Sequence, residues 1–363
     1  MSQYAYLSEP DPELVPILQS PPPPPPADTP AEGDVEGQRI FLTRWMNEGG
    51  RKAHESILPK ESEYTVKDYR IPVENGEISV RSVVPTPTDN DELFPLLFWA
   101  HGGGWVAGDL DTDDYPLRAI AHEIRVSVVS VDYRLAPVHR HPTQVNDSYT
   151  ALKWASPNRA HLSVSRLNKP QAVENAPILR ADVKKGLVLG GISAGAHVAS
   201  VLAHRARDDP FFSHRPVTGH LLQVPPSLHY AAQVPEEYKC RLLSMEQNKL
   251  APILTAVSMK QYWDSLAGDA SPSLPEISPL LAAHAGLSPA VLQICGMDPL
   301  RDEAFLYNDL LVKAGVNTQV FSYPGLPHGF SYIFPDFVQA HKWNEDYRVG
   351  LRWLLAGTAE KAQ

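Results

Sequence analysis

The chain has 363 residues, 43% of them hydrophobic, and 32 basic against 42 acidic side chains leave a formal net charge of −10, which argues against nucleic acid or an anionic membrane surface as partner. Cys240 and Cys295 are too few for a disulfide framework and fit a reducing compartment. No apolar run reaches membrane-span length and the first thirty residues lack a basic and apolar secretory leader, so the expectation is a cytoplasmic chain without a membrane span.

Residues 1–35 are polar, acidic and proline-laden, and the unbroken Pro21–Pro26 run favours a polyproline II spacer, with an SH3-type ligand as the second reading. From Glu36 to Asn47 the apolar set Ile40, Phe41, Leu42, Trp45 and Met46 suits one helical face, with Gly49-Gly50 as its stop. Tyr64–Pro72 and Gly76–Val84 alternate as two antiparallel strands around Glu74-Asn75-Gly76. The pattern then changes to strand–helix alternation. Strands are expected at Phe94–Ala100, Ser127–Val131, Gly186–Gly190, Val217–Val224, Ala290–Cys295 and Thr318–Tyr323. Helices are expected near 115–125, 143–155, 194–207, 302–314 and 336–355.

Such alternation predicts an α/β fold with a mainly parallel, doubly wound sheet. Residues 228–275 break it, with two amphipathic helices expected at Glu236–Lys249 and Thr255–Leu266. The expected organisation is an arm over 1–35, a helical cap from 36–60 and 228–275, and a core from 61–227 and 276–363.

The chemistry centres on Leu187 to His197, where a short apolar strand meets Gly191-Ile192-Ser193-Ala194-Gly195 and runs straight into a helix. Strand, G-x-S-x-G and helix together make a nucleophile elbow: the turn is sharp, and side chains at the glycine positions would collide with its neighbours. Ninety residues upstream, His101-Gly102-Gly103-Gly104-Trp105 follows a strand directly. Glycines there can turn backbone amides toward a developing oxyanion, and Gly103, Gly104 and Ala194 are the expected donors. His101 itself reads as a loop anchor.

A serine hydroxyl needs a base and the base an orienting carboxylate. Of 14 histidines, His328 sits on a Pro/Gly loop leaving the last strand, and Asp298 ends the strand before it. The order Ser193, Asp298, His328 is that of the α/β-hydrolases. Asp302, four residues on, is a second acid, but it falls in the first turn of a helix.

The motifs His101-Gly102-Gly103-Gly104-Trp105, Asp132-Tyr133-Arg134-Leu135-Ala136-Pro137, Gly191-x-Ser193-Ala194-Gly195 and Asp298-Pro299-Leu300-Arg301-Asp302-Glu303 resemble the hormone-sensitive-lipase family of esterases from about Tyr64 onward. The resemblance implies an α/β-hydrolase fold with a helical cap, carboxylester hydrolysis without a cofactor, Ser193 as nucleophile, His328 as base, Asp298 as orienting acid, and Gly103, Gly104 and Ala194 as the oxyanion hole. The chain departs from the family pattern at Ile192, Val138 and Ala196, where Asp, Glu and Gly are common. Gly-x-Ser-Ala-Gly-Ala-His also resembles kynurenine formamidases, which keeps amide substrates open.

No P-loop lysine follows Gly190–Gly195, His122-Glu123 lacks a zincin's second histidine, and Gly102-x-Gly104 lacks a third glycine, so no metal or nucleotide cofactor is expected. The expected partner is a small-molecule ester, and a homodimer is compatible with the chain. Lactone formation or acyl transfer would use the same residues. A receptor on this fold, as in the plant gibberellin receptors, is disfavoured because His328 is kept.

Overall fold

A computed structural model describes residues 3–20, 26–31, 34–156 and 176–359; the proline run lies outside them except for Pro26. The strands are β1 (Tyr64–Val73), β2 (Gly76–Pro85), β3 (Leu96–Ala100), β4 (Ser127–Asp132), β5 (Leu187–Ile192), β6 (Gly219–Gln223), β7 (Ala290–Met297) and β8 (Thr318–Pro327). They form one eight-stranded sheet in the order β1-β2-β4-β3-β5-β6-β7-β8. The hairpin β1–β2 is antiparallel within itself and to β4, and every later pairing is parallel.

Helices α1 (Val15–Gln19) and α2 (Val35–His54) precede the sheet, and α3 (Asp114–Ile124), α4 (Thr143–Ala155), α5 (Ala176–Leu179) and α6 (Ala194–Asp208) alternate with its strands. Between β6 and β7 lie α7 (Glu236–Lys239), α8 (Ser244–Gln247) and α9 (Ala256–Ala267); α10 (Arg301–Lys313), α11 (Phe330–Ile333) and α12 (Val338–Ala359) complete the order.

Strand β3 shows why the central run is unbroken. Leu96, Phe98 and Ala100 pack into the core on one face, and Leu97 and Trp99 into a second core on the other. Covered on both sides, the strand has no polar face to alternate.

Three expectations change. Gly49 and Gly50 do not stop α2, which runs through both to His54. A Cβ at Gly50 would stand 2.9 Å from the Thr112 carbonyl and one at Gly49 3.1 Å from that of Tyr332. The pair lets the helix lie against its neighbours instead of ending it.

The single helix expected over 236–249 is two one-turn pieces. Between them the Leu243 amide donates to Asp302 Oδ2 at 2.9 Å, and the Ser244 hydroxyl donates to the Pro299 carbonyl at 2.7 Å. Tertiary partners take backbone groups that a continuous helix would have used.

The proline-rich arm read over 1–35 is anchored along its first part. Leu7 and Leu14 are buried, and the Tyr4 ring stacks on Phe305 at 3.9 Å.

Candidate active site

Ser193 caps β5 with φ 53° and ψ −121°, left-handed backbone that only a tightly held turn sustains in a non-glycine residue. The crowding is local: a Cβ at Gly195 would lie 1.9 Å from the Ala100 carbonyl oxygen at the tip of β3. From this turn Ser193 Oγ lies 2.9 Å from Nε2 of His328, in the loop after β8. On the other edge of the ring, Nδ1 lies 2.7 Å from Oδ2 of Asp298. The second oxygen of Asp298 accepts the Leu300 amide at 2.9 Å, and the Asn248 side chain donates to the Asp298 carbonyl at 2.9 Å. Both Asp298 and His328 are buried. The carboxylate therefore selects the Nδ1–H tautomer, leaving Nε2 free to accept from the serine.

The loop after β3 carries the second half of the site. Gly103 and Gly104 have φ of 112° and 60°, open to glycine and costly for other residues. A Cβ at Gly104 would also meet the Tyr262 ring at 2.7 Å. Among the described residues the amides of Gly103 and Gly104 donate to no protein acceptor. That of Ala194, first residue of α6, has no intrahelical acceptor.

Helix α2 holds this loop through residues spaced by four. Arg39 donates to the Val106 and Ala136 carbonyls, each at 2.9 Å. Thr43 Oγ1 accepts the Gly108 amide at 2.9 Å, and Asn47 donates to Asp109 at 3.0 Å while accepting from Thr112 at 2.9 Å. His101 anchors the loop, as expected. Its ring stacks on Tyr133 at 4.3 Å, and burial lowers its pKa to about 4, so it stays neutral.

A cavity of about 880 Å³, counting its open mouth, lies over Ser193. Leu42, Trp45 and Met46 of α2 wall one side, and Ile253, Met259 and Tyr262 another.

The family model described as alpha/beta hydrolase fold matches residues 97–332. Versiconal hemiacetal acetate esterase of Dothistroma septosporum is 34% identical over 72% of this chain and 74% of its own length. Carboxylesterase NlhH of Mycobacterium tuberculosis is 34% identical over 73% of this chain and 75% of its own. Among solved structures, vibralactone cyclase aligns with a TM-score of 0.86 at 40% identity, covering 97% of both chains. The chain belongs to the hormone-sensitive-lipase family of α/β-hydrolases. It is a carboxylesterase-type hydrolase.

In this hydrolase the Asp-Tyr-Arg-Leu-Ala-Pro motif is scaffolding. Tyr133 donates its hydroxyl to the His101 carbonyl at 2.8 Å, and Arg134 grips the buried Asp147 carboxylate at 2.7 and 2.9 Å. His197, two residues past the elbow glycine, packs edge-on to Trp105 and Trp263, with burial lowering its pKa to about 3. Ile192 puts an apolar side chain on the cavity wall, where the family commonly has Asp.

Three parts of the site escaped sequence reasoning. Asn248 lies in an insert without a motif. Asp113 lines the cavity, takes hydrogen bonds from Trp99 Nε1 and the Tyr332 hydroxyl at 2.7 Å each, and is raised by burial to about 6. Glu303 belongs to a quoted motif, but nothing local marks it as buried. Its Oε1 accepts the Ser227 and Leu228 amides at 2.7 and 3.1 Å.

No helix among the described residues is long and apolar enough to cross a membrane, and no group of three or more His, Cys, Asp or Glu among them could hold a metal ion.

Proposed function

We propose that this hydrolase cleaves carboxylic esters with small to mid-sized apolar acyl groups through a Ser193-acyl intermediate. The observation that carries the reading is the hydrogen-bonded chain Ser193–His328–Asp298 at the floor of a cavity with mainly apolar walls. As Ser193 Oγ bonds to the ester carbonyl carbon, His328 Nε2 takes its proton and Asp298 steadies the imidazolium. The amides of Gly103, Gly104 and Ala194 receive the negative charge of the tetrahedral oxygen. His328 returns the proton to the leaving alkoxide, the C–O bond breaks, and the acyl group stays on Ser193. Water then enters, loses a proton to His328 and attacks the acyl carbon; the acid leaves and Ser193 regains its hydrogen.

In this reading α2 and the 228–275 segment form a cap whose apolar side chains grip the acyl group. The likeness to vibralactone cyclase supports a second reading on the same residues. A hydroxyl within the substrate would replace water as the second nucleophile and close a lactone, the step of a biosynthetic tailoring enzyme.

A fluorophosphonate probe tests the assignment. Labelling maps to Ser193, and Ser193→Ala abolishes it and lowers kcat by up to ~10⁶. Labelling at another residue, or unchanged turnover in the variant, would remove the proposal. A panel of p-nitrophenyl esters then ranks acyl groups, and product analysis with hydroxy-esters separates hydrolysis from lactone closure.

A further inference from the structure

Strands β7 and β8 pair in register until Cys295 meets Tyr323, and the next pair is Met297 with Pro327. Gly296 alone therefore stands opposite Pro324, Gly325 and Leu326, and the surplus length forms a bulge in β8, with Gly325 at φ +70°. Bulges beside active sites re-aim side chains. The strand that carries this one ends one residue before His328, and the partner strand ends one residue before Asp298.

The N-terminal segment is packed into that bulge. A Cβ on Gly296 would lie 2.2 Å from the Leu7 carbonyl oxygen, and one on Gly325 would lie 2.3 Å from both the Glu9 oxygen and the Asp11 nitrogen. The Asp11 amide donates to the Gly325 carbonyl at 3.1 Å. Fully buried Arg301 joins the two sides, donating from Nη1 to Ser8 Oγ at 2.5 Å and to the Gly296 carbonyl at 3.1 Å. Leu14, with no exposure, packs in one cluster with Met297, the neighbour of Asp298.

We propose that residues 4–14 are a positioning strap for the Asp298–His328 pair: docked on the bulge, they hold both strand tips so that the imidazole stays between acid and serine. The inference rests on the Ser193–His328–Asp298 reading above. Strand β8 is the edge of the sheet, so no further strand among the described residues supports its outer side. A catalytic constellation needs its members held to about 0.5 Å, and a shift near 1 Å costs on the order of 10²-fold in rate. None of residues 4–14 lines the cavity over Ser193, so the strap's effect falls on the chemical step and not on substrate capture.

The test compares the full chain, a chain lacking residues 1–14, and Leu14→Ala, on p-nitrophenyl acetate. Rates are normalised to sites titrated with the fluorophosphonate. The expected result is a kcat loss of about 10- to 100-fold in the truncated chain and a smaller loss in Leu14→Ala, with KM within about threefold. The low-field proton resonance of the His328–Asp298 hydrogen bond broadens or disappears, and a synthetic peptide of residues 1–20 restores both signals. Should the truncated chain not fold, Leu14→Ala decides by the same readouts. Unchanged kcat and an intact resonance in folded variants would overturn the strap. A full chain that is not labelled at Ser193 would instead overturn the reading beneath it.

Discussion

Asp298 and Asp302 lie four residues apart and serve different halves of the molecule. Asp298 accepts from His328 at 2.7 Å, whereas Asp302 accepts the Leu243 amide through one oxygen and Arg301 Nε through the other, each at 2.9 Å. Asp302 is thus more than a helix-terminal charge; it ties the insert between β6 and β7 to a fully buried arginine.

Exchange of each acid for its amide separates the two roles. Asp298→Asn leaves the fold in place and lowers kcat by roughly 10⁴, because an amide holds the imidazole in the wrong tautomer. Asp302→Asn leaves Arg301 buried without its charge partner and destabilises the chain by about 3–5 kcal/mol. Denaturant unfolding beside kcat on the folded fraction reads both. A larger kcat loss at Asp302 would reverse the assignment.

Gly104→Ala addresses the oxyanion loop. The added methyl meets Tyr262 at 2.7 Å from backbone at φ 60°, so the loop shifts and an amide swings off target. Losing one donor lowers kcat by about 10²–10³. Fluorophosphonate labelling slows in parallel, since phosphonylation develops the same charge. Normal kinetics in the alanine variant would take Gly104 out of the hole.

Buried Glu303 contributes stability that is lost as pH rises from about 4.5 to about 8. Burial raises Glu303 from an ordinary 4.5 to about 8, against the pull of the two amides on Oε1. Between those values Glu303 holds a proton in the folded chain that it releases in the unfolded chain, so its contribution to stability declines as pH rises and levels off above about 8. Glu303→Gln keeps an oxygen for both amides and cannot titrate. Urea midpoints at pH 5 and pH 8 should diverge in favour of the glutamine variant as pH rises; parallel midpoints would exclude a buried protonated Glu303.

Trp45 sits 41% exposed at the cavity edge. Trp45→Ala should raise KM for longer acyl esters by about tenfold, from one to two kcal/mol of lost apolar contact. Acetate turnover should hardly change, since a two-carbon acyl group stays near Ser193. An equal loss on both substrates would place the effect in the fold.

What could be read from the chain follows the range of the forces involved. The elbow was legible because its demands are local: Gly191, Ser193 and Gly195 must fall within five residues for the turn to exist at all. The strand tips that carry Asp298 and His328 were legible from apolar runs ending in Pro and Gly. Gly49-Gly50 was ambiguous, since a helix stop and a close helix contact need the same missing side chain. The break at Cys240–Leu243 and the seat of Leu7 were not legible. Each depends on a partner far along the chain, Asp302 in one case and Gly296 in the other, and neither leaves a periodic trace.

The contact between Ser8 and Arg301 spans 293 residues of sequence. During synthesis, the segment that fills the bulge emerges first, and its seat only when β7 and β8 have left the ribosome. Contacts that close so long a loop form late in folding. A nascent chain truncated before Thr318 therefore carries the elbow and the glycine loop without His328, and under the proposed triad its ester-cleaving power stays latent until the segment around Ser8 meets the strands that lead to Asp298 and His328. Pulse-labelling of ribosome-bound chains of increasing length with a fluorophosphonate should show a step at the length that frees residue 328, and a gradual rise from the elbow onward would exclude this order of events.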